Sequence, residues 1–308
     1  MDAATSLEFD MKRIQLIALG LLPCMAMAEL HVVVIEGLGG EARYTDQFAA
    51  QVEAIETATG ALTSDSRIQL FRNGHYSREA VVAFFAGLDG QLQADDRLAV
   101  FLIGHGSFDD HEYKFNISGP DLTGDDLKAM LDGASGSNQL VVNTSSSSGA
   151  VLETLESDGR TLILATKSGV ERHATRFGDY FVAALSSDSA DTDKNRIVTA
   201  EEAFQFAERQ VSDYFERNGQ LATEHPQIGG GQAARFSLAR LGSLTEVSDD
   251  AELRRLIALR DGLNSDIEDL RLRRDSMTAD DYQAELLDNM LELATVEDQI
   301  EQREGELE

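Results

Sequence analysis

Residues 98–106 read Leu-Ala-Val-Phe-Leu-Ile-Gly-His-Gly, and this stretch decides the fold. Six consecutive apolar residues show no alternation, so both faces of the strand they form are covered. That strand ends on a glycine–histidine–glycine loop. Working outward, runs of the same kind recur at residues 31–35, 68–71, 140–142 and 161–165. Between them, apolar residues recur at helical spacing over 46–58, 78–92, 125–131, 149–156, 177–185 and 200–215, with Thr123 as the expected N-cap of the third helix. Residues 234–238 read as a last strand. Strands alternating with helices predict an α/β fold, a three-layer sandwich with a mostly parallel central sheet covered on both sides. In such sheets, sites lie at the carboxyl ends of the strands.

The chain has 308 residues and a formal charge of −29. Such a surface excludes nucleic acid and anionic lipid as general partners, because phosphate binding needs a basic face. The single cysteine, Cys24, excludes a disulfide framework and a cysteine-ligated zinc site. It lies in a segment with its own logic. Met11-Lys12-Arg13 is basic, residues 14–22 are apolar, and Ala26-Met27-Ala28 has the small-x-small form of a cleavage site. This predicts a secretory signal peptide over 1–28, with Met11 as an alternative start because residues 1–10 are acidic. The apolar run is too short for a membrane span. The expected mature protein starts at Glu29, has no transmembrane span and no thiol, and is periplasmic or secreted.

After about Gly242 the character changes. Residues 245–308 hold 20 acidic and 7 basic residues, and apolar residues recur at helical spacing in two runs separated near 276–281. Thr278-Ala279-Asp280-Asp281 resembles a capping box for the second run. Residues 243–308 are therefore expected to form an acidic helical hairpin, or a coiled coil with a partner. The tail is an expected arm for oligomerisation or docking.

Two loops carry candidate chemistry. His105 stands between two glycines at a strand end, where backbone can approach a ligand. Asn143-Thr144-Ser145-Ser146-Ser147-Ser148-Gly149 places four hydroxyls at a strand-to-helix turn. A serine there is either a nucleophile, if a base reaches it, or part of a capping turn.

The order strand–His-Gly, strand–x-x-Ser-x-Ser-Gly, strand, helix resembles the caspase/legumain-like cysteine peptidases (peptidase C13-like). The resemblance covers about residues 30–241. His105-Gly106 matches the family's catalytic His-Gly, and Ser146-Ser147-Ser148-Gly149 matches its Cys-x-Ser-Gly turn, with Ser146 at the nucleophile and Thr144 in place of an acidic residue. The segment from Ala165 through Gly169 to Phe177 is similar to the stretch that leads into the family's next helix. The resemblance implies His105 and Ser146 as the catalytic pair, with the N–H groups of Gly106 and Ser146 as oxyanion donors. The departure decides the activity. A thiol titrates near 8.5 and ionises readily beside a histidine, whereas a hydroxyl needs an accurately placed base and an orienting acid. The expectation is a pseudo-peptidase, inactive as a cysteine protease, that binds or scaffolds a protein or peptide partner. The alternative is a serine-variant hydrolase, with Asp109, Asp110 or His111 as helpers.

A second motif runs from Asp191 to Glu202. Asp191, Asp193 and Asn195 offer side-chain oxygens at positions 1, 3 and 5, Ile197 a carbonyl at position 7, and Glu202 a carboxylate at position 12. This spacing wraps hard oxygens around one point and predicts a Ca2+ loop. Arg196 stands where glycine is usual, and no incoming helix is evident. Gly37-Leu38-Gly39-Gly40-Glu41-Ala42 satisfies G-x-G-x-x-A, but Asn73 stands where a dinucleotide site needs an acid, so a tight turn is expected there.

Overall fold

A computed structural model describes residues 29–93, 96–134, 138–241, 250–274 and 277–307. The expected signal peptide with Cys24, and the boundary expected at 242–243, lie outside these residues. In chain order the elements are β1 (Leu30–Glu36), α1 (Ala42–Gly60), β2 (Ile68–Phe71), α2 (Arg78–Leu88), β3 (Arg97–Ile103), β4 (Gly106–Phe108), β5 (Tyr113–Phe115), β6 (Leu122–Thr123), α3 (Gly124–Gly133) and β7 (Asn138–Asn143). There follow α4 (Leu152–Leu155), β8 (Arg160–Leu164), α5 (Phe177–Ala184), β9 (Ile197–Thr199), α6 (Ala200–Arg217), β10 (Gln227–Gly229), β11 (Ser237–Arg240), α7 (Ala251–Leu272) and α8 (Ala279–Leu307).

The central sheet has the order β10-β8-β7-β3-β1-β2. Five strands are parallel, and only the edge strand β10 runs antiparallel to its neighbour β8. The apolar runs explain the layering. Val32, Val34, Ala99, Phe101, Ile103, Leu140 and Val142 face one core, shared with residues of α1, α5 and α6. Their neighbours Val33, Ile35, Leu98, Val100, Leu102 and Val141 face the other, shared with residues of α2, α3 and α4. Successive side chains point to opposite faces, so an uninterrupted apolar strand must feed two cores. Each buried aliphatic side chain contributes roughly 1.5–3 kcal/mol of transfer free energy.

The α/β sandwich expected from the sequence is the observed architecture. Thr123 caps α3 through a reciprocal capping box with Asp126. Three features differ from expectation. The chain inserts a small antiparallel sheet, β4-β5-β6, directly after His105. The last expected strand becomes β11, which leaves the central sheet and pairs with β9. The expected helix over 149–156 is a 3-10 turn (Ser148–Val151) followed by the single turn α4.

The order of strands reverses at β1. The chain passes from β1 outward to β2 and then returns to β3 on the other side of β1. Crevices at the carboxyl ends form at such a switch point. Here the loops after β1 and β3 touch. A Cβ on Gly104 would stand 2.9 Å from the Gly37 Cα, and Gly37 N–H donates to the Ile103 carbonyl at 2.8 Å.

At the C terminus, α7 and α8 form the expected antiparallel hairpin. Leu253, Leu256, Ile257 and Leu263 of α7 close on Leu293, Val296 and Ile300 of α8. Arg303 joins the open ends by pairing with Asp250 at 2.7 Å. Among the described residues, no helix is long and apolar enough to cross a membrane.

Candidate functional site

β3 and β7 are neighbours and end together, so the loops carrying His105 and Ser146 meet. Contact is made through Gly106. The Ser146 hydroxyl donates to the Gly106 carbonyl at 2.8 Å, and the Gly106 N–H donates to the Ser146 Oγ at 3.4 Å. Only glycine fits this approach, since a Cβ on Gly106 would come within 2.5 Å of the Ser145 Oγ and the Ser146 carbonyl.

The imidazole of His105 turns toward α1. Its ring packs edge-on against Tyr44 at 4.6 Å and Phe48 at 5.1 Å between centroids. Burial pushes its pKa below the usual imidazole value, opposed by the Gly39 backbone carbonyl and by Glu41, while Arg43 adds to the fall. Burial thus favours the neutral form of the ring. Among the described residues, no hydrogen bond joins it to Ser146.

Each serine of the turn has a distinct position. Ser145, fully buried, meets the Tyr113 hydroxyl at 2.6 Å and donates to Asn143 Oδ1 at 2.8 Å. Asn143 in turn donates to the Tyr113 oxygen at 2.9 Å. Burial raises the Tyr113 pKa to about 12, against hydrogen bonds from Ser145 and Asn143 that lower it. Ser146 is 5% exposed. Ser147 adopts the left-handed region at φ 57°, its N–H donates to the Glu171 carbonyl at 2.8 Å, and its hydroxyl is buried without a hydrogen-bond partner. Ser148 lies 3.2 Å from the Thr166 hydroxyl. Three of the four hydroxyls thus satisfy buried polar neighbours, which is what a structural turn requires, since an unpaired buried group costs about 1–3 kcal/mol.

Of the expected helpers, Asp109 and Asp110 are engaged elsewhere. Asp109 accepts from the N–H groups of Glu112 and His111 and from Lys114, and these partners pull its pKa down to about 2. Asp110, at φ 72°, pairs with Arg172 at 2.7 Å. No hydrogen bond from Asp109, Asp110 or His111 reaches His105 among the described residues. The glycine loop after β1 is a turn as expected, with Leu38 N–H donating to the Asn116 carbonyl and Glu41 N–H to the Gly39 carbonyl. Arg43 lies over Tyr44 and pairs with the exposed Glu41.

Sequence reasoning missed the residues that support the turn from afar. Tyr113 comes from the short strand β5, which carries too few residues to show a period. Glu171 accepts from Lys167 N–H and His225 N–H, and its carboxylate meets His225 Nδ1 at 2.5 Å. Next to it the buried Glu224 accepts from Arg176 N–H and Phe177 N–H at the start of α5. Burial pushes the Glu224 pKa up to about 7, against those backbone donors and Arg176.

The loop expected to hold calcium connects α5 to α6, which pack together, so a helix does precede it. Asp191, Asp193 and Glu202 bring carboxylate oxygens within 4.8 Å of one another. Asp191 accepts from Asn195 N–H and Arg196 N–H, and Asn195 Oδ1 accepts from Ile197 N–H. Arg196 has φ 67°, the left-handed geometry for which glycine is usual at this position. Glu202 caps α6 by accepting from Thr199, and also accepts from Thr192. Partial burial of the Asp193 carboxyl, with Glu202 and Asp191 nearby, raises its pKa. A divalent cation would relieve that crowding, and the hard oxygen donors suit Ca2+.

No family model matches the chain, and no curated protein matches it by sequence. Among solved structures it is similar to protein GSU0716 from Geobacter sulfurreducens, at 12% identity and TM-score 0.45, over 70% of this chain and 100% of that one. It is also similar to caspase-1 from Spodoptera frugiperda, at 12% identity and TM-score 0.43, over 66% of this chain and 87% of that one.

Proposed function

We propose that this protein is a secreted or periplasmic pseudo-peptidase of caspase/legumain-like descent, which acts by binding a protein or peptide and not by hydrolysis. One observation carries the reading. The Ser146 hydroxyl, which the resemblance aligns with the family's thiol, is nearly buried and donates to the Gly106 carbonyl, while the imidazole of His105 lies against Tyr44 and Phe48. A serine nucleophile needs its proton taken by a base within hydrogen-bond reach. This arrangement supplies a carbonyl acceptor instead, and a carbonyl cannot act as that base.

A serine-variant hydrolase is the second reading. It is favoured by the adjacency of the two loops, with Gly106 and Ser146 in direct contact. The two readings separate on incubating the protein from Glu29 onward with a fluorophosphonate probe and with a peptide library, with and without calcium. Absence of labelling and turnover supports the binding role. Labelling that Ser146→Ala abolishes overturns it.

Calcium belongs to the same proposal. Asp191, Asp193, Asn195 and Glu202 would hold the ion through side chains, and Ile197 through its carbonyl. Bound there, the ion would neutralise the carboxylate cluster and tie the segment between α5 and α6 to the start of α6.

A further inference from the structure

The hairpin distributes its charge unequally. Helix α7 carries five acidic and four basic residues, whereas α8 carries ten acidic residues and only Arg303 as a base. Arg303 is tied to Asp250 and Glu306. The inner stripe of α8, Leu293, Val296 and Ile300, closes on α7. A second apolar group lies away from that seam. Leu287, Met290 and Leu291 are 59%, 54% and 59% exposed. Their i, i+3, i+4 spacing makes one contiguous patch on a helix. A helical projection at 100° per residue places Ala294 in the same sector, with Asp298 and Glu301 continuing it toward the C terminus and Asp280 bounding it at the start.

Apolar side chains exposed together and rimmed by charge mark an interaction surface. Charge selects the occupant. A second copy of the chain would set its own Asp280, Asp298 and Glu301 against these, and like charges juxtaposed across an interface disfavour pairing. A helix with an apolar stripe and flanking Lys or Arg would bury Leu287, Met290 and Leu291 and pair with the rim. We propose that the outer face of α8 docks a basic amphipathic helix of a partner protein. This goes beyond the pseudo-peptidase reading and does not depend on it.

The test uses the full chain and a synthetic 21-residue helix of leucine and lysine, with leucines at i, i+3, i+4 and i+7. A scrambled peptide of equal composition and charge is the control. Fluorescence anisotropy at 0.15 M salt is expected to show the ordered peptide binding at least tenfold more tightly than the scrambled one. The charge-preserving variant Leu287→Ser/Met290→Ser/Leu291→Ser is expected to lose that advantage while its circular dichroism is unchanged. The variant Asp298→Asn/Glu301→Gln, with the apolar patch intact, is expected to bind several-fold more weakly and with a shallower salt dependence. Equal binding of both peptides, no binding of the ordered peptide, or undiminished binding by the triple variant would overturn the proposal. So would sedimentation showing the wild type as a dimer that the triple variant cannot form, which would assign the face to a second copy.

Discussion

The hydroxyl of Ser146 donates to the Gly106 carbonyl at 2.8 Å, across the junction of β7 and β3. This bond ties the loop after β3 to the loop after β7, beside the Thr144 N–H and hydroxyl, which both donate to the Leu102 carbonyl. Ser146→Ala is expected to destabilise the protein by about 1–2 kcal/mol, because the Gly106 carbonyl loses its partner in a nearly dry place. It is expected to leave peptide turnover at the buffer background, as in the wild type. Denaturant unfolding measures the first effect, and a fluorogenic peptide library the second.

Ser147 should respond in the opposite sense. It holds φ 57° with its hydroxyl buried and unpartnered. Ser147→Gly removes a left-handed penalty of roughly 1–2 kcal/mol and the orphan hydroxyl, against an entropy cost for glycine of about 0.5–1 kcal/mol. The expected result is a melting temperature raised by a few degrees. Ser147→Val is expected to lower it, since a β-branched residue resists this conformation.

Tyr113 supports the turn from below. Tyr113→Phe removes the hydroxyl that meets Ser145 and Asn143. A loss of about 1–3 kcal/mol is expected from the buried polar atoms left unpaired. The double variant with Ser145→Ala is expected to cost less than the two single changes added together, because the residues share one network.

Glu224 introduces a pH dependence. Its carboxyl is 2% exposed and its pKa is raised by burial to about 7. A raised carboxyl binds its proton more tightly in the folded state. Its contribution is therefore fully present below the unfolded value near 4.5 and is lost as pH rises through about 7. The swing is on the order of 3 kcal/mol. Glu224→Gln keeps an acceptor for Arg176 N–H and Phe177 N–H, so it is expected to flatten the stability profile between pH 5 and 8 and to raise the melting temperature at pH 8. Thermal unfolding across that range measures both.

The calcium loop is testable by stability. Millimolar Ca2+ is expected to raise the melting temperature, by an amount equivalent to about 2.7 kcal/mol at a hundredfold excess over Kd, with Mg2+ giving a smaller shift. Asp191→Asn/Asp193→Asn is expected to abolish the response. Arg196→Gly is expected to strengthen it, because φ 67° suits glycine and the ion pair given up, to the exposed Asp188, contributes little.

Much of the fold was legible in the sequence because its physics is local. The continuous apolar runs that became β1, β3, β7 and β8 can satisfy both faces only inside a layered sheet. Thr123 and Asp126 form a capping box because three residues of spacing place each beside the other's backbone N–H. What escaped was set by distance. Segments as short as 106–108 and 113–115 show no period, so the small sheet after His105 left no trace. β9 and β11 pair across nearly forty residues, and no local pattern announces such a partner. Four consecutive serines are chemically identical in sequence. Only Tyr113, Gly106, Glu171 and Thr166, arriving from other elements, make them different.

Ser146, whose hydroxyl is spent on the Gly106 carbonyl, is proposed as part of a structural turn and not as a nucleophile. The most direct measurement is intact-mass analysis of the protein from Glu29 onward after prolonged incubation with a fluorophosphonate probe, with calcium present. The expected result is an unmodified mass for wild type and Ser146→Ala alike. A stoichiometric adduct on the wild type, mapped to Ser146 and absent from the variant, would contradict it.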